Sequence, residues 1–230
     1  MDKPQIDYLR DAIEPMLADS KEKPPESDNF LYEVKWDGIR AMISLDEGQV
    51  TIRSRNQHDI TAKFPELLIP EEAFRASSAL FDAEIVSLDE GGKPVFKHVI
   101  HRLQQTTDGA IERAKAKYPV VCYVFDCLYL DGRPIVNEPL VRRRAWLKDA
   151  IKRGTPYRVS ETVEEGRELF KAAAAMGLEG IIAKEKSSAY QPGKRSAQWL
   201  KIKTRQTVEC VIIGYTRGKG NRESLFGALQ

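Results

Sequence analysis

The segment that most restricts this chain is Glu33-Val34-Lys35-Trp36-Asp37-Gly38-Ile39-Arg40. Residues 31–35 alternate apolar and polar as a half-buried strand does, and 39–45 alternate again. The acidic, glycine-bearing turn between them folds one strand back towards the next. A lysine is thereby fixed at a strand end, with a second cation, Arg40, opening the following strand. A lysine in that position can act as a nucleophile towards phosphate, or it can be a surface lysine on a hairpin. K-x-D-G arises by chance in about one chain in twenty of this length. Its weight depends on the segments downstream of it and on their order.

Further strands are predicted over 50–53, after the turn Asp46-Glu47-Gly48, and over 79–88, closed by Asp89-Glu90-Gly91-Gly92. A long apolar strand covers 120–130 and stops at Asp131-Gly132. Two helices are legible. One starts near Asn137 with Pro139 in its first turn, carries Leu140, Leu147 and Ile151 at helical spacing, and ends by Gly154. The other opens on a capping box, Thr162-Val163-Glu164-Glu165, and stops at Gly177. Strands over 180–184, 199–203 and 208–215 come next. The polar, proline-bearing stretch 21–29 reads as a loop. The pattern is α+β with mostly antiparallel hairpins. It contains no G-x-x-x-x-G-K-[ST], so a nucleotide would have to be held some other way than by a P-loop.

A chain of 230 residues accommodates one large domain, or one domain with a small appendage. No apolar run approaches the ~20 residues of a membrane helix. The start, Met1-Asp2-Lys3-Pro4, has no apolar signal segment, so a cytoplasmic protein without a membrane partner is expected. Cys122, Cys127 and Cys210 sit in apolar runs without zinc-ligand spacing and read as buried free thiols. His98 and His101 lack a third ligand and read as surface histidines. The net charge of +2 hides an asymmetry. Within 184–222 the bases are Lys184, Lys186, Lys194, Arg195, Lys201, Lys203, Arg205, Arg217, Lys219 and Arg222, against only Glu185 and Glu209. Such a stretch suits phosphate or nucleic acid, and equally a solvated basic face.

Five segments stand in a fixed order: Lys35-Trp36-Asp37-Gly38-Ile39-Arg40; Arg53-Ser54-Arg55-Asn56, with Asp59 and Thr61 beyond; Phe81-Asp82-Ala83-Glu84-Ile85-Val86; Glu179-Gly180-Ile181-Ile182-Ala183-Lys184; and Trp199-Leu200-Lys201-Ile202-Lys203. The strand Tyr123-Val124-Phe125-Asp126 lies between the third and fourth. This series resembles the covalent nucleotidyltransferases: DNA ligases, RNA ligases and capping enzymes. It is most similar to ATP-dependent DNA ligases of the bacterial and archaeal end-joining type. The detail that favours these is Arg102-Leu103-Gln104-Gln105 before the aromatic strand and Asp126-Cys127-Leu128-Tyr129-Leu130-Asp131-Gly132 in and after it.

The resemblance implies an ATP-grasp-like nucleotidyltransferase fold of two mostly antiparallel sheets flanked by helices. Residues 1–206 would form the adenylation domain, and 207–230 the start of an OB-fold that stops short. It implies a monomeric DNA ligase core in which Lys35 carries AMP taken from ATP and passes it to the 5′-phosphate of nicked double-stranded DNA. Lys35, Arg40, Lys201 and Lys203 would be catalytic, the cations lowering the lysine's pKa and balancing the leaving pyrophosphate. Glu33 would accept from the adenine amino group. Phe125 and Ile182 would sandwich the base. Arg40 and Arg55 would hold ribose and, later, the nick phosphate. Glu84 would meet ribose or metal and Glu179 the metal, Mg²⁺ or Mn²⁺. Ku and the polymerase or nuclease modules of end joining would be partners. An RNA ligase, a capping-type enzyme that takes GTP, and a binding module that has lost the reaction are the alternatives. Two positions depart from the family: Ala83 and Gln57 stand where glycine is usual, which is tolerable if neither takes a positive φ.

Overall fold

The computed structural model describes residues 6–204, 215–217 and 226–229. Two sheets divide the chain. The larger begins with β3 (Ile39–Asp46) and β4 (Gln49–Ser54), adds β5 (Ala79–Val86), β6 (Val121–Leu130) and the short β7 (Arg133–Pro134), and runs in the order β4-β3-β5-β6-β7. A further strand, β8 (Tyr157–Val159), pairs with β6 in parallel. The smaller sheet joins β1 (Leu17–Ser20), β2 (Phe30–Val34), β9 (Gly180–Glu185) and β10 (Arg195–Lys203) in the order β1-β10-β9-β2. Its one parallel pair among the described strands is β1 with β10. The helices are α1 (Pro70–Ala73), α2 (Phe96–Leu103), α3 (Asp108–Lys117), α4 (Leu140–Ala150) and α5 (Gly166–Ala175).

The strand expectations hold to within a few residues because alternation fixes which face is buried. In β10, Leu200 and Ile202 are buried while Lys201 and Lys203 share the opposite, accessible side. The main core gathers β3, β4, β5 and β6 around Ile43, Ile52, Phe81, Ile85 and Val124, and a separate cluster packs α5 on β2, β9 and β10 through Tyr32, Ala173, Ile181 and Ile202. Cys122 and Cys127 are buried free thiols.

Three local expectations are corrected. The capping box does not cap: α5 begins at Gly166, and Glu165 at its N-cap makes no side-chain cap bond. Tertiary pairing takes precedence, because Val163 exchanges backbone hydrogen bonds with Tyr32 at the sheet edge, which keeps 162–165 out of the helix. Helix α4 stops at Ala150 rather than near Gly154, since Ile151 bridges to Phe74 in extended geometry. Gln57 does take a positive φ, of 64°, whereas Ala83 does not. The turn after β4 still demands the conformation glycine favours. Gln57 is held in it by its amide hydrogen bond to the Ser54 carbonyl (2.8 Å) and by its side chain, whose Nε2 donates to the Ile13 carbonyl (2.8 Å). Helices α2 and α3 lay outside the sequence reading. His98 and His101 lie on α2 and pack on the ring of Tyr118.

The strand expected over 208–215 lies outside the described residues except for Tyr215. The described part of that region is β11 (Tyr215–Arg217) paired antiparallel with β12 (Phe226–Leu229). Among the described residues, no helix is long and apolar enough to cross a membrane.

Candidate active site

Strand register brings Lys35, Glu179 and Lys203 together. In the smaller sheet Val34 pairs with Ile181, and Lys203 with Gly180. The Lys35 amide donates to the Gly180 carbonyl (3.0 Å) and the Thr204 amide to the Glu179 carbonyl (3.0 Å). Two glycines are obligatory for this closeness. A Cβ on Gly38 would lie 2.2 Å from the Ile85 carbonyl oxygen, and one on Gly180, at φ 153°, would lie 2.1 Å from that of Ile202. The glycine of the lysine motif therefore lets β3 press on β5, and that of the glutamate motif lets β9 press on β10.

Side chains converge accordingly. Lys35 Nζ donates to Glu179 Oε2, and Lys203 Nζ lies 2.9 Å from Glu179 Oε1. Burial raises the Glu179 pKa, but hydrogen bonds from the two lysines outweigh it and the net shift is downward. Asp37 in the motif turn is shifted upward, by burial and by the charge of Glu179, with Lys35 and Lys203 opposing. Lys201 is shifted downward, by burial and by the positive charges of Arg195, Lys203, Lys35 and Arg55.

Lys35, Lys201 and Lys203 border a cavity of about 650 Å³ between the two sheets. From the larger sheet it takes Arg40, Arg55, Glu84 and Phe125; from the smaller, Glu33, Ile182, Lys184, Trp199, Lys201 and Lys203; Lys35 and Trp36 lie at the join. Every site residue picked out from the sequence thus lines one cavity, except Glu179, which meets it through Lys35 and Lys203. Volume and lining are those of a small-ligand site, with apolar surface at Phe125 and Ile182 set among cations: Arg40 lies 5.4 Å and Lys184 4.2 Å from the Phe125 ring centre, and Lys201 is the cross-strand partner of Ile182.

The structure changes the picture of the cations. Arg40 is bound bidentately by the fully buried Asp82, Nε to Oδ1 at 2.9 Å and Nη2 to Oδ2 at 2.6 Å. Burial alone would lower the Arg40 pKa; Asp82 reverses that and raises it. Asp82 also accepts from the Tyr190 hydroxyl (2.6 Å). Arg40 is therefore a positioned group, half-neutralised at rest, and among the described residues Lys201 is the cavity lysine with no ion pair. Sequence reasoning missed Asp82, Tyr190, Arg144 and Lys184 as site residues. A signal existed for the last: a lysine directly after the apolar run Gly180-Ile181-Ile182-Ala183, inside a strand, is expected to be buried and paired.

Glu84 gives a pH-dependent test. Burial pushes its carboxyl from 4.5 up to about 8, opposed by Arg40 and Lys35. The folded state therefore holds this proton where the unfolded chain has lost it. The stability it contributes is complete below about pH 4.5 and is lost as pH rises through about 8. Glu84→Gln should remove that decline and stabilise the ligand-free protein at pH 9 by about 2–4 kcal/mol, with little effect near pH 4. Urea midpoints of both proteins across that range are the measurement; parallel profiles would contradict it.

Comparison with known proteins fits this geometry. Residues 15–203 match the family described as ATP dependent DNA ligase domain. A DNA ligase of Thermococcus onnurineus is 34% identical over 229 residues, covering 94% of this chain and 40% of that protein. The multifunctional non-homologous end joining DNA repair protein LigD of Mycobacterium tuberculosis is 35% identical over 229 residues, covering 99% of this chain and 28% of that protein. The chain thus spans less than half the length of these relatives. Among solved structures, a mycobacterial DNA ligase D in complex with ATP and MES superimposes with a TM-score of 0.70 at 31% identity, covering 94% of this chain and 66% of that one. With two sheets meeting at a lysine-bearing cavity and a family match over most of its length, the chain belongs to the ATP-dependent DNA ligase domain family.

Proposed function

We propose that this domain carries out the nucleotidyl transfer of a DNA ligase. Lys35 Nζ attacks the α-phosphorus of ATP, a P–N bond forms, and the bond to pyrophosphate breaks. The AMP then passes to the 5′-phosphate at a nick in double-stranded DNA, and the 3′-hydroxyl displaces it to close the backbone. The observation that carries this reading is Lys35 at the join of the two sheets, paired with Glu179 beside a cavity lined by both cations and apolar side chains.

Each side chain has a part in that reading. While Glu179 accepts from Lys35, the amine is a donor; it becomes a nucleophile only once it gives up its proton and that contact loosens. Lys201 and Lys203 face the cavity from one side of β10, where positive charge balances the phosphates and the leaving pyrophosphate. Arg40 and Arg55 hold ribose and later the nick phosphate, and Phe125 and Ile182 enclose the adenine. Among the described residues no three His, Cys, Asp or Glu side chains form a metal cage. Two carboxylates with phosphate oxygens nevertheless suit a cation that keeps most of its waters. Glu84 and Glu179 would hold Mg²⁺ or Mn²⁺, which would supply charge against the phosphate oxygens. A monomer in the cytoplasm working beside Ku and polymerase or nuclease modules is part of the same proposal, supported by the likeness to the mycobacterial end-joining protein.

Intact mass after exposure to ATP, and separately to GTP, tests the reading. An AMP adduct supports it, a GMP adduct alone points to capping chemistry, and no adduct points to a binding module. Sealing of nicked DNA against nicked RNA separates the two ligase types. Glu179→Ala and Lys201→Ala should each slow adduct formation by at least ~100-fold, the scale of losing a charge-stabilising group. Rates within a few-fold of wild type would remove those residues from the mechanism.

A further inference from the structure

We infer that Lys184 is a positioning residue that sets base selectivity: it fixes the Glu33 carboxylate as an acceptor on the cavity wall, so that a purine with an exocyclic amino group is taken and one with an oxo group is refused. The inference deepens the nucleotide reading above and rests on it.

Lys184 is 1% exposed, yet lines the cavity from β9. A buried ammonium is costly unless paired, and the pairing here is specific. Its Nζ lies 2.5 Å from Glu33 Oε1. The same Nζ is 4.2 Å from the ring centre of Phe125 and 4.1 Å from that of Trp199, within cation–π range of both. Beyond Glu33 it has no polar partner among the described residues. The second carboxylate oxygen of Glu33 faces Arg144 Nη1 at 3.4 Å, and Arg144 is itself anchored, Nη1 donating to the Phe125 carbonyl (3.0 Å) and Nη2 to that of Ser160. Cations from β9 and α4 thus grip one carboxylate on β2, and two aromatic rings fix where the first cation sits.

The consequence is chemical. An ionised carboxylate accepts and cannot donate. Two cations occupy only part of its acceptor capacity, and Glu33 lines the same cavity as Phe125 and Ile182, where the base would lie. A 6-amino group can donate to the remaining lone pairs, whereas a 6-oxo group would set lone pair against lone pair. Lys184 acts through Glu33, holding its carboxylate in place. A purely structural ion pair would have no bearing on which base is accepted.

The test compares adduct formation from ATP and from inosine triphosphate, which carry 6-amino and 6-oxo groups on an otherwise shared skeleton. Wild type should favour ATP by about tenfold or more, the scale of a hydrogen bond to a charged group set against an unpaired acceptor. Lys184→Met and Glu33→Gln should each reduce that ratio to about threefold or less. Lys184→Arg, which keeps the charge, should restore much of it. Should Lys184→Met fail to fold, as judged by thermal unfolding, Lys184→Gln carries the comparison. A folded variant lacking the Lys184 charge that slows on both nucleotides alike, keeping the wild-type ratio, overturns the inference and leaves a structural pair. Wild type that forms an adduct from both nucleotides equally overturns it too, with the nucleotide reading intact. Wild type that forms no adduct from ATP brings down both.

Discussion

Replacing Lys35 by alanine is expected to abolish the covalent AMP adduct while leaving the chain folded. Among the described residues, the other lysines that line the cavity are placed differently. Lys203 is held by Glu179 on the far side of that carboxylate, and Lys184 is enclosed between Phe125 and Trp199. Lys201 shares the cavity but projects from β10, which pairs with β9 on the side away from β2, the strand that leads to Lys35. The cost to stability should be small. The Lys35–Glu179 pair is about a quarter exposed on both sides, and pairs open to solvent contribute about 0–1 kcal/mol. Glu179 also keeps Lys203 as a partner after the substitution. Intact mass after ATP exposure, with a urea midpoint alongside, is the measurement. An adduct of unchanged yield in the variant would mean that another side chain is the nucleophile.

The separation of function from stability at Lys35 reflects how the site is built. Lys35 and Glu179 are 144 positions apart in sequence and meet because β2 and β10 both pair with β9. The sequence displayed the two ends of that contact as motifs, and their proximity came only from register. The strands themselves were legible because alternation in a half-buried strand is a direct record of burial. The close backbone approaches at the lysine and glutamate motif glycines, Gly38 and Gly180, came from the structure alone. The features that escaped were decided by tertiary pairing. Thr162 and Glu165 do not form their capping box because Val163 between them pairs with Tyr32, and Gln57 accepted a glycine conformation because its side chain found the Ile13 carbonyl. Arg143 and Arg144, within the run Arg142-Arg143-Arg144 of α4, were not picked out from the sequence, yet both are buried. Asp126 was the available clue, because a carboxylate inside the apolar strand 120–130 requires a cation from some other element.

That requirement yields the second large effect, expected at Arg143. Its guanidinium binds Asp126 bidentately, Nε to Oδ1 and Nη2 to Oδ2, both at 2.8 Å, with both side chains fully buried. The remaining donor, Nη1, reaches the carbonyls of Glu138 (2.6 Å) and Ser188 (2.8 Å). One side chain therefore ties α4 to the central strand β6, to the turn before α4 and to the loop after β9. Arg143→Met keeps apolar bulk but leaves a buried carboxylate unpaired and two carbonyls without this donor. Removing one partner of a buried pair costs about 3–5 kcal/mol. In a domain of this size that corresponds to a fall in Tm of roughly 6–20 °C. The contrast lies in the double variant. Removing both charges, with Arg143→Met and Asp126→Leu, should recover much of the loss, because replacing a buried ion pair by apolar groups is often neutral or stabilising. The Cys127 amide, which donates to Asp126 Oδ1 at 2.8 Å, sets a limit on that recovery. Urea midpoints for the wild type, the single variant and the double variant measure both effects. A single variant within about 1 kcal/mol of wild type would mean that water or a neighbouring cation satisfies Asp126, and that the Arg143 network does not hold α4 to β6.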